Sequence, residues 1–210
     1  MKGAFIVFEG LDGSGKGTML TRAADYLFNE YKSFDRLLIT REPTYSGTGK
    51  QIRKMLQQSD SPMSDAKRLL QLYLDDRKDH LEFLRPLINQ NCVILCDRYK
   101  YSTLAYQQTQ GIPLDSIVKL HEKMLIPDIV FFLDVSPAVA LQRIKESRSS
   151  TEKFEKEFFF EELRNNYLKL PSVLPNENIK IVDANRSKDE VFEQIKAYLN
   201  NFFKTKMAEQ

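Results

Sequence analysis

Ten residues near the start of the chain, Glu9-Gly10-Leu11-Asp12-Gly13-Ser14-Gly15-Lys16-Gly17-Thr18, carry the first chemistry. Glycines let a backbone turn tightly enough for successive N–H groups to converge on phosphate oxygens, and a lysine so placed reaches the outer phosphates. An apolar run from Ala4 to Phe8 precedes the loop, and Leu20, Ala23, Ala24, Leu27 and Phe28 follow at helical spacing. Strand, glycine loop and helix in that order make a nucleotide phosphate loop, with Gly10, Asp12, Gly13, Ser14, Gly15, Lys16, Gly17 and Thr18 as candidate contacts. A glycine turn with an incidental lysine is the plain alternative. Where such loops carry a Ser or Thr for Mg²⁺, this one has Gly17, so no direct side-chain ligand is expected. The metal is then held by nucleotide phosphates, water and one carboxylate, with Thr18 and Asp97 as candidates. Thr18 alternatively meets the α-phosphate.

Other polar residues sit where apolar runs end. Asp97-Arg98 follows the run Val93 to Cys96, and Arg41-Glu42-Pro43 follows Leu37 to Ile39. Proline stiffens the second of these turns. Tyr73 and Arg77 are four apart, so a helix carrying both presents them on one face. An ion pair at a strand end, and an aromatic in the core beside a surface arginine, are the simpler readings of these two pairs.

The elements that must hold these residues are legible in outline. Apolar runs without alternation, continuing at Ile129 to Leu133 and Ile179 to Val182, suggest strands buried on both faces and therefore a parallel sheet covered by helices. Ser64 and Asp65 are expected to open a long helix reaching about Arg85; Ser136-Pro137 reads as an N-cap and first helical residue; Ser187 with Glu190 makes a capping box for the last helix. The expected fold is a single α/β domain with a five-stranded parallel sheet, spanning 1–210, in which ligands bind beyond the carboxyl ends of the strands.

With 210 residues, 42% of them hydrophobic, the chain can bury one sizeable core. A net charge of +2 gives no reason to expect a nucleic-acid or membrane-surface partner. The apolar runs are too short for a membrane span, and a cytoplasmic protein is expected. Cys92 and Cys96, four apart in one run, read as reduced core residues rather than a disulfide. Phe158-Phe159-Phe160 and Phe202-Phe203 read as packing residues, and His80 and His121 have no partner pattern that suggests acid or base work.

Four segments together resemble the thymidylate kinase family: Phe8 to Lys16; Thr40-Arg41-Glu42-Pro43; Asp97-Arg98-Tyr99 with Ser102 and Ala105-Tyr106-Gln107; and Pro127-Asp128 with Leu133 to Pro137. The resemblance implies transfer of the γ-phosphoryl group of ATP to dTMP, with Mg²⁺, on a P-loop α/β fold that is usually a homodimer. It implies Lys16, Arg98, Asp97 and Arg148 as the catalytic set. Arg41, Glu42 and Pro43 would line the dTMP phosphate pocket; Arg53 would be a second clamp there or a solvated helix-face residue. Tyr73 would stack on thymine, Arg77 donate to a carbonyl, and Gln107 add a bond at the base edge. Tyr106 would crowd the 2′ side of the sugar, and Asp12 would meet the 3′-hydroxyl unless it only makes an Asx turn. Ser102 falls in the same acceptor segment. Residues 143–153, on composition a solvated charged loop, would be a lid, with Arg143 on adenine and Arg148 on the transferring phosphate. Arg186 would lie on the adenine side. Another nucleoside monophosphate kinase, or a nucleotide-binding regulatory protein that no longer transfers phosphate, are the rival functions.

Overall fold

The computed structural model describes residues 3–58, 65–147 and 157–208. Five strands, β1 (Ala4–Gly10), β2 (Arg36–Arg41), β3 (Cys92–Asp97), β4 (Ile129–Asp134) and β5 (Ile179–Asp183), form one sheet in the order β2-β3-β1-β4-β5. Every pairing is parallel, with Ile6 opposite Leu95 on one side and Ile129 on the other. Eight helices among the described residues connect and cover it: α1 (Lys16–Glu30), α2 (Gly47–Gln58), α3 (Ala66–Asn89), α4 (Lys100–Thr109), α5 (Leu114–His121), α6 (Pro137–Ser147), α7 (Glu157–Val173) and α8 (Lys188–Ala208). The expected α/β fold with five parallel strands is the fold observed.

Continuous apolar sequence translates into full burial only in the middle of the sheet. All of β1 is buried, as are Cys92–Cys96 and Ile129–Leu133. The edge strands differ from the expectation of burial on both faces, since each has a single neighbour: Ile39 on β2 is 51% exposed and Ile181 on β5 is 44% exposed. Cys92 and Cys96 are free and buried. Of the Phe158–Phe160 triplet, Phe160 enters the core while Phe158 is 78% exposed, because three consecutive helical positions cannot share one face. Phe203 is fully buried and Phe202 packs partly against the core.

Helix starts follow the sequence signals. Ser187 Oγ accepts from Glu190 N at 3.3 Å while Glu190 Oε2 accepts from Ser187 N at 3.1 Å, a reciprocal box opening α8. Pro137 begins α6, with Ser136 Oγ accepting from Val139 N at 3.4 Å. Asp65 stands at the N-cap position of α3 without a side-chain capping hydrogen bond; Ser64 lies outside the described residues. This helix does not end at Arg85 but runs through Pro86 to Asn89. A proline removes one backbone donor, and in the last turn that loss does not stop the remaining carbonyls from being used: Gln90 N bonds Pro86 O at 3.2 Å.

The order of strands places β1 in the middle, with β3 on one side and β4 on the other. The loops after β1, β2, β3 and β4 therefore emerge at one edge, where the phosphate loop, Arg41-Glu42-Pro43 and Asp97-Arg98 meet, whereas Pro127-Asp128 lies at the opposite end, before β4.

Candidate active site

The loop between β1 and α1 takes its shape from left-handed glycines, with φ of +79° at Gly13 and +89° at Gly15. At Gly13 the reason is also steric, since a Cβ would lie 2.4 Å from the carbonyl oxygen of Ala140 on α6. Gly17 is different: its Cβ position has nothing within 4 Å. Lys16 Nζ folds inward and donates to the carbonyls of Gly10 at 3.1 Å and Leu11 at 2.8 Å. Burial, reinforced by the nearby Arg98 charge, pushes its ammonium down to about 8.

On the outer side of this loop lies a cavity of about 660 Å³ bounded by Gly13, Ser14, Gly15 and Thr18, by Arg143 on α6, and by Ala184, Arg186, Ser187 and Lys188 after β5. Arg143 Nη1 donates to Ala184 O at 3.1 Å, and Arg186, more than half exposed, is paired with Asp183 at 3.0 Å. These residues, expected around ATP, share one cavity.

A second cavity, of about 120 Å³, opens on the opposite side of Asp12. Its walls include Glu42 and Pro43 after β2, Tyr73 and Arg77 on α3, and Arg98 after β3. Ser102, Tyr106 and Gln107 on α4, also expected around the acceptor, line it too. Gln107 Oε1 is buried without a hydrogen-bond partner, while its amide nitrogen donates to Gln110. Two expected acceptor residues lie elsewhere. Arg53 donates to the backbone carbonyls of Pro43, Thr44 and Gly49, so its guanidinium fastens the loop after β2. Arg41 faces a groove of about 360 Å³ shared with Gly17, Thr21 and Asp97, 3.7 Å from the Asp97 carboxylate.

Between the cavities stand three charges. Asp12 Oδ1 accepts from Arg98 Nη2 at 2.6 Å and lies 3.9 Å from Lys16 Nζ. Arg98 also donates to Ser102 Oγ at 3.0 Å and sits 5.4 Å above the Tyr106 ring. Its backbone is left-handed, with φ +70°, a conformation costing a non-glycine residue about 1–3 kcal/mol that its surroundings must supply. Glu9, the next-to-last residue of β1, does so. Its carboxylate accepts from Tyr99 N at 2.7 Å, Ser102 N at 3.1 Å, Ser102 Oγ at 2.6 Å and Tyr167 Oη at 3.0 Å, anchoring the segment that immediately follows Arg98. Burial raises the Glu9 carboxyl above its ordinary value, against the pull of Arg98 and these donors.

Glu9 is one of several residues that sequence reading assigned no role. Asp76 accepts from Thr44 N at 2.7 Å, Thr44 Oγ1 at 2.5 Å and Ser46 Oγ at 2.8 Å, holding the loop after Pro43 to α3. Glu42, expected at a phosphate, is instead committed to protein partners: Oε2 to Arg77 Nε at 2.7 Å and Oε1 to His80 Nδ1 at 3.0 Å. Arg77 further meets His121 Nε2 at 2.8 Å and Thr103 Oγ1 at 3.1 Å. A signal for Glu9 existed, an acid at the end of an otherwise apolar central strand; the other partners are too distant in sequence to have one. Of the expected lid at 143–153, residues 143–147 are not loop but the last turns of α6, while Arg148 and residues 149–153 lie outside the described residues. Among the described residues there is no cluster of three or more His, Cys, Asp or Glu able to hold a metal ion, and no helix long and apolar enough to cross a membrane. Asp97 Oδ1 is nevertheless buried without a hydrogen-bond partner.

A phosphate loop facing one cavity and a cation-lined pocket on its other flank, on an all-parallel sheet, define a P-loop nucleotide kinase. The family model described as Thymidylate kinase matches residues 8–195. A thymidylate kinase of Clostridium novyi is 35% identical over 94% of this chain and 98% of its own length. Those of Ligilactobacillus salivarius and Staphylococcus haemolyticus are each 34% identical, covering 96% of this chain and 100% and 99% of theirs. The chain belongs to the thymidylate kinase family.

Proposed function

We propose that this protein transfers the γ-phosphoryl group of ATP to dTMP, giving ADP and dTDP in dTTP synthesis. The observation that carries this reading is the Lys16–Asp12–Arg98 cluster between the two cavities, which brings a phosphate-loop cation and an acceptor-side cation around one carboxylate. The attacking atom is a phosphate oxygen, so no general base is needed; the barrier lies in bringing two anions together.

ATP lies along the 660 Å³ cavity, its phosphates on the N–H groups of Gly10 to Thr18, adenine against Arg143 and Arg186. The lid, residues 148–153 after α6, brings Arg148 to the transferring phosphate and closes the site to water. dTMP occupies the second cavity: Tyr73 stacks on thymine, Arg77 and Gln107 meet its edge, Tyr106 lies against the sugar, and Asp12 meets the 3′-hydroxyl. Arg98, held by Ser102 and Asp12, orients the acceptor phosphate, while Arg41 and Arg53 supply positive potential from the β2 side. Glu42 and Pro43 form the wall through which Arg77 is positioned.

The residues present fit Mg²⁺ bound through water. Gly17 offers no side-chain oxygen, whereas the partnerless Asp97 Oδ1 can hold a hydrated ion beside the ATP phosphates. The ion supplies charge neutralisation on the phosphates being joined. The protein works in the cytoplasm as a homodimer, for which the exposed Phe83 of α3 and Leu120 of α5 offer apolar surface.

A coupled ADP-release assay with Mg-ATP and dTMP, dUMP, dGMP, AMP, CMP and UMP tests the reaction. Preference for dTMP is expected; turnover restricted to a purine monophosphate overturns the acceptor, and silence across the panel overturns the transfer.

A further inference from the structure

Arg77 is 1% exposed, and its charge is enclosed by α3, α4, α5 and the turn after β2. A guanidinium has five N–H donors and no acceptor, so every partner must accept. Nε bonds Glu42, one proton of Nη2 meets Thr103 Oγ1, and one proton of Nη1 meets His121 Nε2 at 2.8 Å. His121 Nε2 therefore carries no proton. Its Nδ1 lies 2.7 Å from the carbonyl oxygen of Ile117, which can only accept, so Nδ1 carries the proton. Both ring nitrogens are assigned by their partners, and the imidazole is neutral.

Three acceptors in three directions fix the guanidinium plane, leaving one proton on each terminal nitrogen for the acceptor cavity. From this geometry we infer that His121 is a positioning residue for nucleobase recognition: its neutral imidazole holds Arg77 so that the two remaining N–H donors meet carbonyl oxygen on a pyrimidine. The inference rests on the proposed dTMP reaction and extends it to a residue outside the substrate cavity. His121 does not line that cavity; it contacts the substrate only through Arg77. With Thr103 and Glu42 alone the guanidinium can swing about Nε, and an Nη1 proton is left buried without an acceptor, which weakens base binding. Selectivity should suffer with it, because a fixed donor pair repels the exocyclic amino group of cytosine, while a mobile one can turn away.

The test compares wild type with His121→Gln and His121→Leu. Glutamine can return an oxygen close to the place of Nε2; leucine fills the space without an acceptor. Steady-state kinetics with dTMP, dCMP and ATP, together with thermal melts, are read for all three. For His121→Leu the KM for dTMP is expected to rise about tenfold, with the dTMP-over-dCMP ratio of kcat/KM falling and the KM for ATP unchanged. His121→Gln is expected to recover most of both losses. A His121→Leu enzyme with unchanged KM for dTMP and unchanged ratio overturns the inference. So does a His121→Gln enzyme as impaired as His121→Leu, or one in which the ATP and dTMP constants move together with the melting temperature. Wild type inactive on dTMP overturns the reaction and this inference with it; dTMP turnover with insensitive variants removes His121 alone.

Discussion

Glu42 Oε2 and Arg77 Nε stand 2.7 Å apart with both side chains almost wholly removed from solvent, tying the end of β2 to the middle of α3. The pair joins two walls of the acceptor cavity that are 35 residues apart in sequence. Removing one partner strands the other's charge in the interior, a loss of about 3–5 kcal/mol in such pairs. Glu42→Ala is therefore expected to lower the denaturation midpoint in urea by a corresponding amount and to abolish dTMP binding by calorimetry. A midpoint within experimental scatter of wild type would show that the pair contributes no net stability.

Lys16 predicts a pH response. Its ammonium, pushed down to about 8 by burial and Arg98, is charged below that value and neutral above it. Since kcat/KM reports the free enzyme, the value for ATP should fall as pH rises beyond about 8. Bound phosphates favour the charged lysine, so kcat at saturating ATP should persist to higher pH. Parallel declines of the two parameters would contradict this.

Two glycines of the phosphate loop should respond oppositely to an added side chain. Gly13→Ala sets a methyl group against Ala140 O and demands a left-handed alanine, so ATP affinity should drop by at least about tenfold. Gly17→Ser meets open space. Its hydroxyl adds a ligand beside the phosphates, so the Mg²⁺ concentration for half-maximal rate should decrease. Titration of Mg²⁺ at fixed ATP measures this, and an unchanged requirement would place the ion away from residue 17.

Acid should expose the cost of a neutral His121. Burial first, then Arg77, lowers its folded value from 6.5 to about 3. Below 6.5 the unfolded chain gains a proton that the native protein refuses until about 3, so stability declines as pH falls through this window. By about pH 5 the loss attributable to this residue is about 2 kcal/mol. Urea denaturation of wild type and His121→Gln at neutral pH and near pH 5 should show the difference shifting by that amount in favour of the variant. A constant difference would mean that the folded imidazole accepts a proton freely.

Features written in consecutive residues were legible in the sequence. The phosphate loop is written in ten consecutive residues, and the capping box at Ser187 and the α3 face bearing Tyr73 and Arg77 depend on spacings of four residues or fewer; all appear in the fold. The strand runs were visible for the same reason, although an edge strand such as β2 reads like a central one because sequence does not reveal how many neighbours it has. What escaped were bonds closed by the fold. Tyr167 reaches Glu9 across 158 positions and His121 reaches Arg77 across 44. Neither interval leaves a pattern, so both histidines looked unassigned and Glu42 looked like a ligand rather than a clamp.

The two cavities also differ in where the chain encodes them. Asp12 and Phe160 aside, the acceptor side is drawn from one stretch between Glu42 and Gln110. The donor side comes from Gly13 to Met19, Arg143, Glu146 and the segment Ala184 to Val191. Because the linings of the two cavities do not share residues, substitutions at the acceptor-side positions should change acceptor preference while leaving the residues around the other cavity untouched, provided Asp97 and strand β3, which lie in the same stretch, are kept.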